Sequence, residues 1–225
     1  MEKTFIFVGI GLLAVGIIVF LTNFYSKKAI VKRHLRKAVL KNISSVADGE
    51  VAKISGRVEL TGPPLTAPLS GRKCAYYHVL VEQQVNTGKS SHYKKVIEEE
   101  VAGPFGIRDG RSCARIVIRD SGAVSRDVES YIVDDRKYSS GIFNDPTEVL
   151  EQYLSAHNLK SEDFMGFNKS MRYKEGILEE GELISVLGKA KWKHAETGEW
   201  SDDFGKLLII GPTDKMPVYL SDDVT

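Results

Sequence analysis

A long apolar segment near the N-terminus constrains this chain more than any other feature. Phe5 to Leu21, FIFVGIGLLAVGIIVFL, contains 17 residues and no charged or hydrogen-bonding side chain. With Thr4 and residues 22–25 the segment reaches about 20 residues, the length of a helix that crosses the hydrocarbon core of a bilayer. The sequence therefore predicts a transmembrane anchor over residues 1–25.

Two other interpretations of this segment fit less well. A cleaved secretory signal has a shorter apolar region followed by small residues, whereas bulky and basic residues, Asn23-Phe24-Tyr25 and Lys27-Lys28, follow here. A buried helix of a globular domain rarely stays apolar on all sides for this length. We adopt the retained anchor.

A cluster of bases follows the anchor. Residues 1–45 carry eight Lys and Arg against one acid, and the rest of the chain carries 23 bases against 29 acids. The positive-inside rule then places the N-terminus outside and the body on the cytoplasmic side. Apolar residues among the bases (Ala29, Ile30, Leu35, Val39 and Leu40) predict a basic juxtamembrane helix over residues 26–46.

The basic helix has two possible roles, which the sequence leaves open. It either lies on anionic lipid headgroups or forms a solvated flank that stops transfer through the membrane. In the first role, lipids are a partner of the chain. The residues predicted to contact the membrane surface are Lys27, Lys28, Lys32, Arg33, Arg36, Lys37 and Lys41.

The remaining residues, 47–225, predict a β-dominated α+β domain. Val51 to Leu60 alternates between apolar and polar residues, which is typical of a half-buried strand. Further strands are predicted over 74–85, 92–101, 115–119, 123–128, 207–210 and 218–220, with a hairpin over 177–192. One helix is predicted from the sequence Asp145-Pro146-Thr147-Glu148, with Asp145 as its cap, to about His157.

An internal repeat relates two of these strands. DGEVAKISGRVEL at 48–60 matches EGELISVLGKAKW at 180–192 with a shift of 132 residues, so that Gly56 falls on Gly188. A glycine in the middle of a strand indicates a bend or a close backbone approach, as at the corner of a small barrel. We predict a compact domain of two similar halves; chance similarity of two amphipathic strands is the alternative.

The sequence shows no catalytic, cofactor-binding or metal-binding constellation. Two cysteines without a CxxC pair exclude a zinc module such as a RING. Cys74 and His78 are about 13 Å apart on an extended strand, too far for a nucleophile and its base. Nucleic-acid binding by a small barrel needs a positive groove with stacking aromatic residues, and the acidic body argues against it.

The ordered motifs resemble the GIDE family, also called the "beside a membrane" (BAM) domain, found in MULAN-type membrane E3 ubiquitin ligases. The motifs are Gly56-Arg57-Val58, the loop Ala67-Pro68-Leu69-Ser70-Gly71, Cys74-Ala75-Tyr76-Tyr77, Asp120-Ser121-Gly122, and a final element with Glu175, Leu178, Gly181, Val186 and Gly188. The resemblance spans roughly residues 48–220. The resemblance implies a β-rich domain beside a membrane. It does not extend to the zinc module that performs the ligase chemistry in those enzymes.

The expected function is therefore a non-catalytic interaction or scaffold module, anchored by a single span at the cytoplasmic membrane surface. Its protein partner is unidentified, and its oligomeric state cannot be derived from the sequence. The loops at 65–71 and 101–111 are candidate contact surfaces. The alternative, implied by the resemblance, is a RING-less member or subunit of an E3-like ubiquitin-transfer system.

Overall fold

A computed structural model describes residues 26–88, 90–118, 128–133, 136–140, 147–161 and 169–223. The protein is β-dominated, as predicted. The helices within these ranges are α1 (Lys27–Lys37) and α2 (Glu148–Ala156), with a short 3₁₀ turn at Ile43–Ser45. Its strands are β1 (Val51–Leu60), β2 (Leu65–Thr66), β3 (Lys73–Cys74), β4 (Tyr76–Asn86), β5 (Ser91–Ala102), β6 (Phe105–Asp109), β7 (Ser112–Ile116), β8 (Val128–Tyr131), β9 (Arg136–Ser140), β10 (Met171–Leu178), β11 (Leu183–His194), β12 (Lys206–Gly211) and β13 (Val218–Ser221).

Five strands close into a small barrel in the order β1-β6-β7-β12-β11, and β11 pairs with β1 to complete the ring. All of these pairs are antiparallel except β7 with β12. Numbered along the chain, the barrel strands run 1-2-3-5-4-1, the order of the OB fold, a five-stranded Greek-key barrel. Its interior is filled by aliphatic side chains such as Ile54, Val186 and Ile210, which are fully buried.

The sequence repeat relates two strands that pair with each other. Ile54 lies opposite Val186 in the β1–β11 ladder, and these two residues are also equivalent in the repeat because 54 + 132 = 186. A local twofold axis that passes between these two residues therefore relates β1 to β11. The repeat thus describes two strands of one barrel, which corrects the prediction of two similar halves of the body.

The repeated glycines have the same structural role in the two strands. A Cβ on Gly56 would lie 2.8 Å from the carbonyl oxygen of Arg108 in β6. A Cβ on Gly188 would lie 2.6 Å from Ile210 Cγ2 and 3.0 Å from the carbonyl oxygen of Gly211 in β12. Each glycine lets the neighbouring strand cross its own strand closely, as small barrels require.

A second sheet, in the order β5-β4-β10-β9, is built from the two long insertions of the barrel. Helix α2 covers one face of this sheet and contributes Leu150, Tyr153 and Leu154 to a separate core with Val79 and Tyr173. Near the barrel, Tyr76 and Leu178 of the same sheet join the barrel core. The two sheets therefore share side chains and form one body.

The predicted hairpin over 177–192 is wrong. Its two strands, β10 and β11, are joined by a turn at Gly181 but belong to different sheets: β10 pairs with β4 and β9, and β11 pairs with β1, β12 and β13. The backbone of Val58 in β1 forms two hydrogen bonds with the turn. Val58 N donates to Glu182 O at 2.8 Å, and Gly181 N donates to Val58 O at 2.8 Å. The turn thus crosses from one sheet to the other, which local turn chemistry cannot distinguish from a hairpin.

Other predicted elements are close to the observed ones. The strand predicted over 74–85 is interrupted at Ala75, whose N–H donates to Leu178 O at 2.7 Å, and resumes as β4. The strand predicted at 115–119 is observed as β7, three residues earlier. Thr147 occupies the N-cap position of helix α2, and its side chain makes no capping hydrogen bond. Residues 123–127 of the strand predicted over 123–128 lie outside the described residues, as does the proposed cap Asp145, and Val128 is the first residue of β8.

Candidate interaction surface

Helix α1 is docked on the barrel through its apolar side. Val31 and Leu35, one turn apart, are buried against Leu187 of β11 and Tyr219 of β13. The ring of His34 stacks on that of Tyr219, with centroids 4.1 Å apart and an interplanar angle of 9°. The helix that follows the predicted anchor is therefore held in a fixed position on the body.

The observed helix is shorter than the one predicted over residues 26–46. The helix ends at Lys37 instead of continuing to residue 46, because Ile43 and Val46 are drawn into the barrel core. Its apolar side, which includes Leu35, faces the protein. Beyond the helix, Val39 remains 79% exposed and Leu40 remains 56% exposed.

Some of the predicted membrane-contact residues form ion pairs with carboxylates of the body. The pairs are Lys27 with Glu100 at 2.8 Å, Lys32 with Asp223 at 2.5 Å and Lys41 with Glu50 at 2.5 Å. Lys28 is exposed, and Arg33 is partly exposed. Side chains that are exposed at the far end of the helix are Arg36 and Lys37. At 100° per residue, Arg33, Arg36 and Lys37 lie on the side of α1 that faces away from Val31 and Leu35.

A polar network joins α1 to both sheets at the point where the helix begins. Glu100 of β5 receives hydrogen bonds from Lys27, from the Tyr76 hydroxyl and from Ser130 of β8. Burial acts to raise the pKa of Glu100, but the charge of Lys27 and these hydrogen bonds outweigh it and lower the pKa. Glu100 is therefore held ionised and fixes the first turn of α1 on the body.

An open groove of about 340 Å³ lies at one end of the β1–β11 ladder. Its apolar rim consists of Leu40 and Leu183, which are 56% and 46% exposed. The lining residues are Leu40, Lys41, Asn42, Ser55, Gly56, Arg57, Arg108, Asp109, Gly110 and Leu183. Sequence reasoning missed this groove, because its walls come from four segments that only the barrel brings together.

The outer face of β6 and β7 is covered by the chain itself. The loop between β11 and β12 lays Trp200 on Gly106, where a Cβ would lie 2.4 Å from Trp200 Cη2. Trp200 Nε1 donates to Glu59 at 2.9 Å, and Glu59 also pairs with Arg108 at 2.7 Å. Arg115 on the same face pairs with Glu199 at 2.7 Å. In OB folds, this face and this loop bind oligonucleotides. Here Arg108 and Arg115 are already paired with carboxylates. The geometry therefore gives no support to oligonucleotide binding.

The two cysteines of the chain are both buried. Cys74 is fully buried in the core of the second sheet, and burial raises the pKa of its thiol to about 11. His78 lies against Glu98, with Nε2 3.5 Å from the carboxylate. Burial likewise raises the pKa of Cys113 to about 11. Both thiols are therefore kept in their unreactive form.

Neither loop predicted as a contact surface is fully open. Ala67 and Leu69 are buried, and Leu69 N donates to the buried carboxylate of Glu175 at 2.8 Å. Within 101–111, Phe105 and Ile107 are barrel core residues of β6. The second of these loops contributes Arg108, Asp109 and Gly110 to the lining of the groove.

Comparisons with known protein families, with curated proteins and with solved structures found no match. Among the described residues, which begin at Ser26, no helix is long and apolar enough to span a bilayer. The predicted anchor, residues 1–25, lies outside them. The same part of the chain contains no group of three or more His, Cys, Asp or Glu arranged to hold a metal ion.

Proposed function

We propose that this protein is a single-pass membrane protein whose β-rich body is a non-catalytic interaction module at the cytoplasmic surface. The observation that carries the proposal is the docking of α1. The apolar run Phe5–Leu21 is followed, after five residues, by a helix that Val31 and Leu35 fix to the barrel. An anchor joined to the body in this way sets the orientation of the body as well as its location.

The charge distribution on α1 supports an orientation in which the helix lies along the membrane. Its outward side carries Arg33, Arg36 and Lys37, and α1 contains no acidic residue. Exposed Val39 follows directly. Each base near an anionic surface contributes on the order of 1 kcal/mol. This role is the reverse of an ordinary amphipathic anchor, because the bases face the lipid while the apolar side faces the protein.

The ubiquitin-transfer alternative stays a prediction. It rests on the family resemblance, and no contact among the described residues favours it over a plain interaction module.

Extraction of membranes at alkaline pH tests the proposal. The intact protein is expected to stay in the pellet, and a chain that begins at Ser26 is expected to be released. The triple variant Arg33→Gln, Arg36→Gln, Lys37→Gln in that shortened chain is expected to bind less well to vesicles containing phosphatidylserine. Recovery of the intact protein in the soluble fraction without detergent would overturn the proposal.

A further inference from the structure

The groove beside β1 coincides with a gap in the hydrogen bonding of that strand. The even-numbered residues of this segment form backbone hydrogen bonds with β11. Val58 N donates to Glu182 O at 2.8 Å, and Glu50 O, directly before β1, accepts from Ala190 N at 2.7 Å. In an antiparallel ladder the residues between them point their N–H and C=O groups to the opposite edge. Lys53, Ser55 and Arg57 are therefore the residues that present backbone groups to this edge.

On this edge of β1, Lys53 and Arg57 each have a neighbouring segment of the chain beside them. Ser55, between them, has none among the described residues. Lys53 O accepts from Lys41 N at 2.9 Å. Arg57 lies opposite Arg108 of β6 in the β1–β6 ladder. No strand or bridge among the described residues lies opposite Ser55 on this side. The opening is thus one residue wide and forms a wall of the groove.

The repeat shows that such a slot can hold an extended segment. Ser55 corresponds to Leu187 in β11, because 55 + 132 = 187, and Leu187 pairs with Tyr219 of β13. The equivalent edge of β11 is therefore occupied by the chain's own last described strand. On β1 the same position faces solvent.

The lining of the groove contains three cations, Lys41, Arg57 and Arg108, and one carboxylate, Asp109. Lys41 and Arg108, both in the lining, are paired with Glu50 and Glu59. Arg57 is exposed, and its Nη1 donates to a backbone carbonyl, that of Gly181, at 2.8 Å. A guanidinium that bonds one neutral carbonyl retains further donors for an anion.

We propose that the groove binds the carboxyl-terminal residue of an extended peptide. The N–H of that residue donates to Ser55 O, and its carboxylate accepts from Ser55 N and from Arg57. Its side chain lies between Leu40 and Leu183, so an aliphatic last residue is preferred. A chain end fits better than a strand passing through, because Lys41 and Arg108 close the slot on both sides. The inference deepens the proposed interaction role by naming the partner's chemistry.

Amide hydrogen exchange of the full chain in detergent micelles tests whether the slot is open. The Ser55 amide is expected to exchange at least about a hundredfold faster than that of Leu187, its repeat equivalent, because only the latter is bonded to a neighbouring strand. Equal protection of the two amides would mean that the slot is filled, and would overturn the proposal.

Titration with a minimal ligand tests the chemistry of the site. The probe is N-acetyl-valyl-leucine with a free carboxyl group, compared with its C-terminal amide, followed through the amide resonances of the labelled protein. The free acid is expected to shift the Ser55 and Arg57 resonances saturably at concentrations of about 1–10 mM, and the amide is not. Equal effects of the two probes, or no saturable shift with the acid, would contradict the proposal.

Two variants complete the test. Arg57→Gln is expected to weaken binding of the acid at least about tenfold, because a charge-assisted hydrogen bond is lost. Lys189→Gln, at the repeat-equivalent position of β11, is the matched control and is expected to bind as the unaltered protein does. Binding that survives Arg57→Gln unchanged would refute the assigned role. Since these measurements do not depend on a bilayer, failure of the membrane proposal and failure of this one are distinguishable.

Discussion

Replacing Gly56 with alanine tests the central structural conclusion, that the two repeated glycines let strands cross closely in one barrel. The new Cβ would lie 2.8 Å from Arg108 O and 3.2 Å from Ile107 Cβ. Ordinary contact of a Cβ begins at about 3.4 Å, so the atoms must separate by about 0.6 Å. The obstacle is the backbone of β6, which is held on both sides by β1 and β7 and cannot move alone.

Overpacking of this kind costs about 1–3 kcal/mol, and an obstacle in the backbone favours the upper half of that range. For a protein of this size each kcal/mol lowers Tm by about 2–4 °C. We therefore expect Gly56→Ala to lower Tm by about 4–12 °C. Gly188→Ala is expected to have a comparable effect, because its Cβ would lie 2.6 Å from Ile210 Cγ2, on a buried and branched side chain, and 3.0 Å from the backbone oxygen of Gly211.

Thermal unfolding followed by tryptophan fluorescence measures these effects, since Trp192 and Trp200 both lie on the barrel. Gly211→Ala is the matched control. Its Cβ would meet only Val117 Cβ, at 3.9 Å, so this variant is expected to be neutral or to gain about 0.5–1 kcal/mol. If Gly56→Ala melts within about 1 °C of the unaltered protein, the close crossing of β1 and β6 is wrong.

Three further predictions concern the helix, the surface and the thiols. Leu35→Ala should release α1, so that trypsin cleaves the helix faster and the free energy of unfolding falls by about 2 kcal/mol. Leu40→Ala, at an exposed position, should change neither quantity. Equal cleavage rates of the two variants would contradict the docking of α1. Hydrogen bonds from Lys193, the backbone of Glu196 and Arg115 lower the pKa of Glu199 from 4.5 to about 2, so its stabilising contribution is present above pH 4.5 and lost between pH 4.5 and 2. The Tm difference between the protein and Glu199→Gln should shrink across that window, and a constant difference would exclude this linkage. A thiol reagent at pH 8 should label neither Cys74 nor Cys113 before unfolding and both afterwards, and rapid labelling of the native protein would show that one of them is accessible.

Much of the β-rich body could be predicted from the sequence because its strands alternate clearly. Val51–Leu60 was predicted with its observed bounds, since a strand with one face in a barrel core shows strict period-two burial. The turn at Gly181 shows the limit of that reasoning. Its glycine has φ +88° and fits a hairpin, but the choice of partner strand depends on packing between sheets.

The groove could not be predicted for a related reason. Ser55 is an ordinary polar residue within an alternating strand, and nothing local marks its backbone as unpaired. Its exposure depends on where β6 stops, at Asp109, and on where Lys41 crosses β1. The repeat was the one signal that pointed to this region, because a comparison of its two copies shows which edge is filled and which is not. The basic residues of α1 were recognised, but the pairing of Lys27 with Glu100 and of Lys32 with Asp223 depends on carboxylates distant in sequence.

The pairing of β1 with β11 also affects the folding of this protein during synthesis. During synthesis, β1 leaves the ribosome long before its partner, and Tyr219, on which α1 rests, is added later still. Non-local pairing of this kind slows folding and leaves strand edges exposed in the meantime. With the proposed anchor already inserted in a bilayer, a nascent chain would pass this interval confined to two dimensions, where neighbouring copies meet often. Slow synthesis or high expression should therefore affect the yield of folded protein more than its final stability.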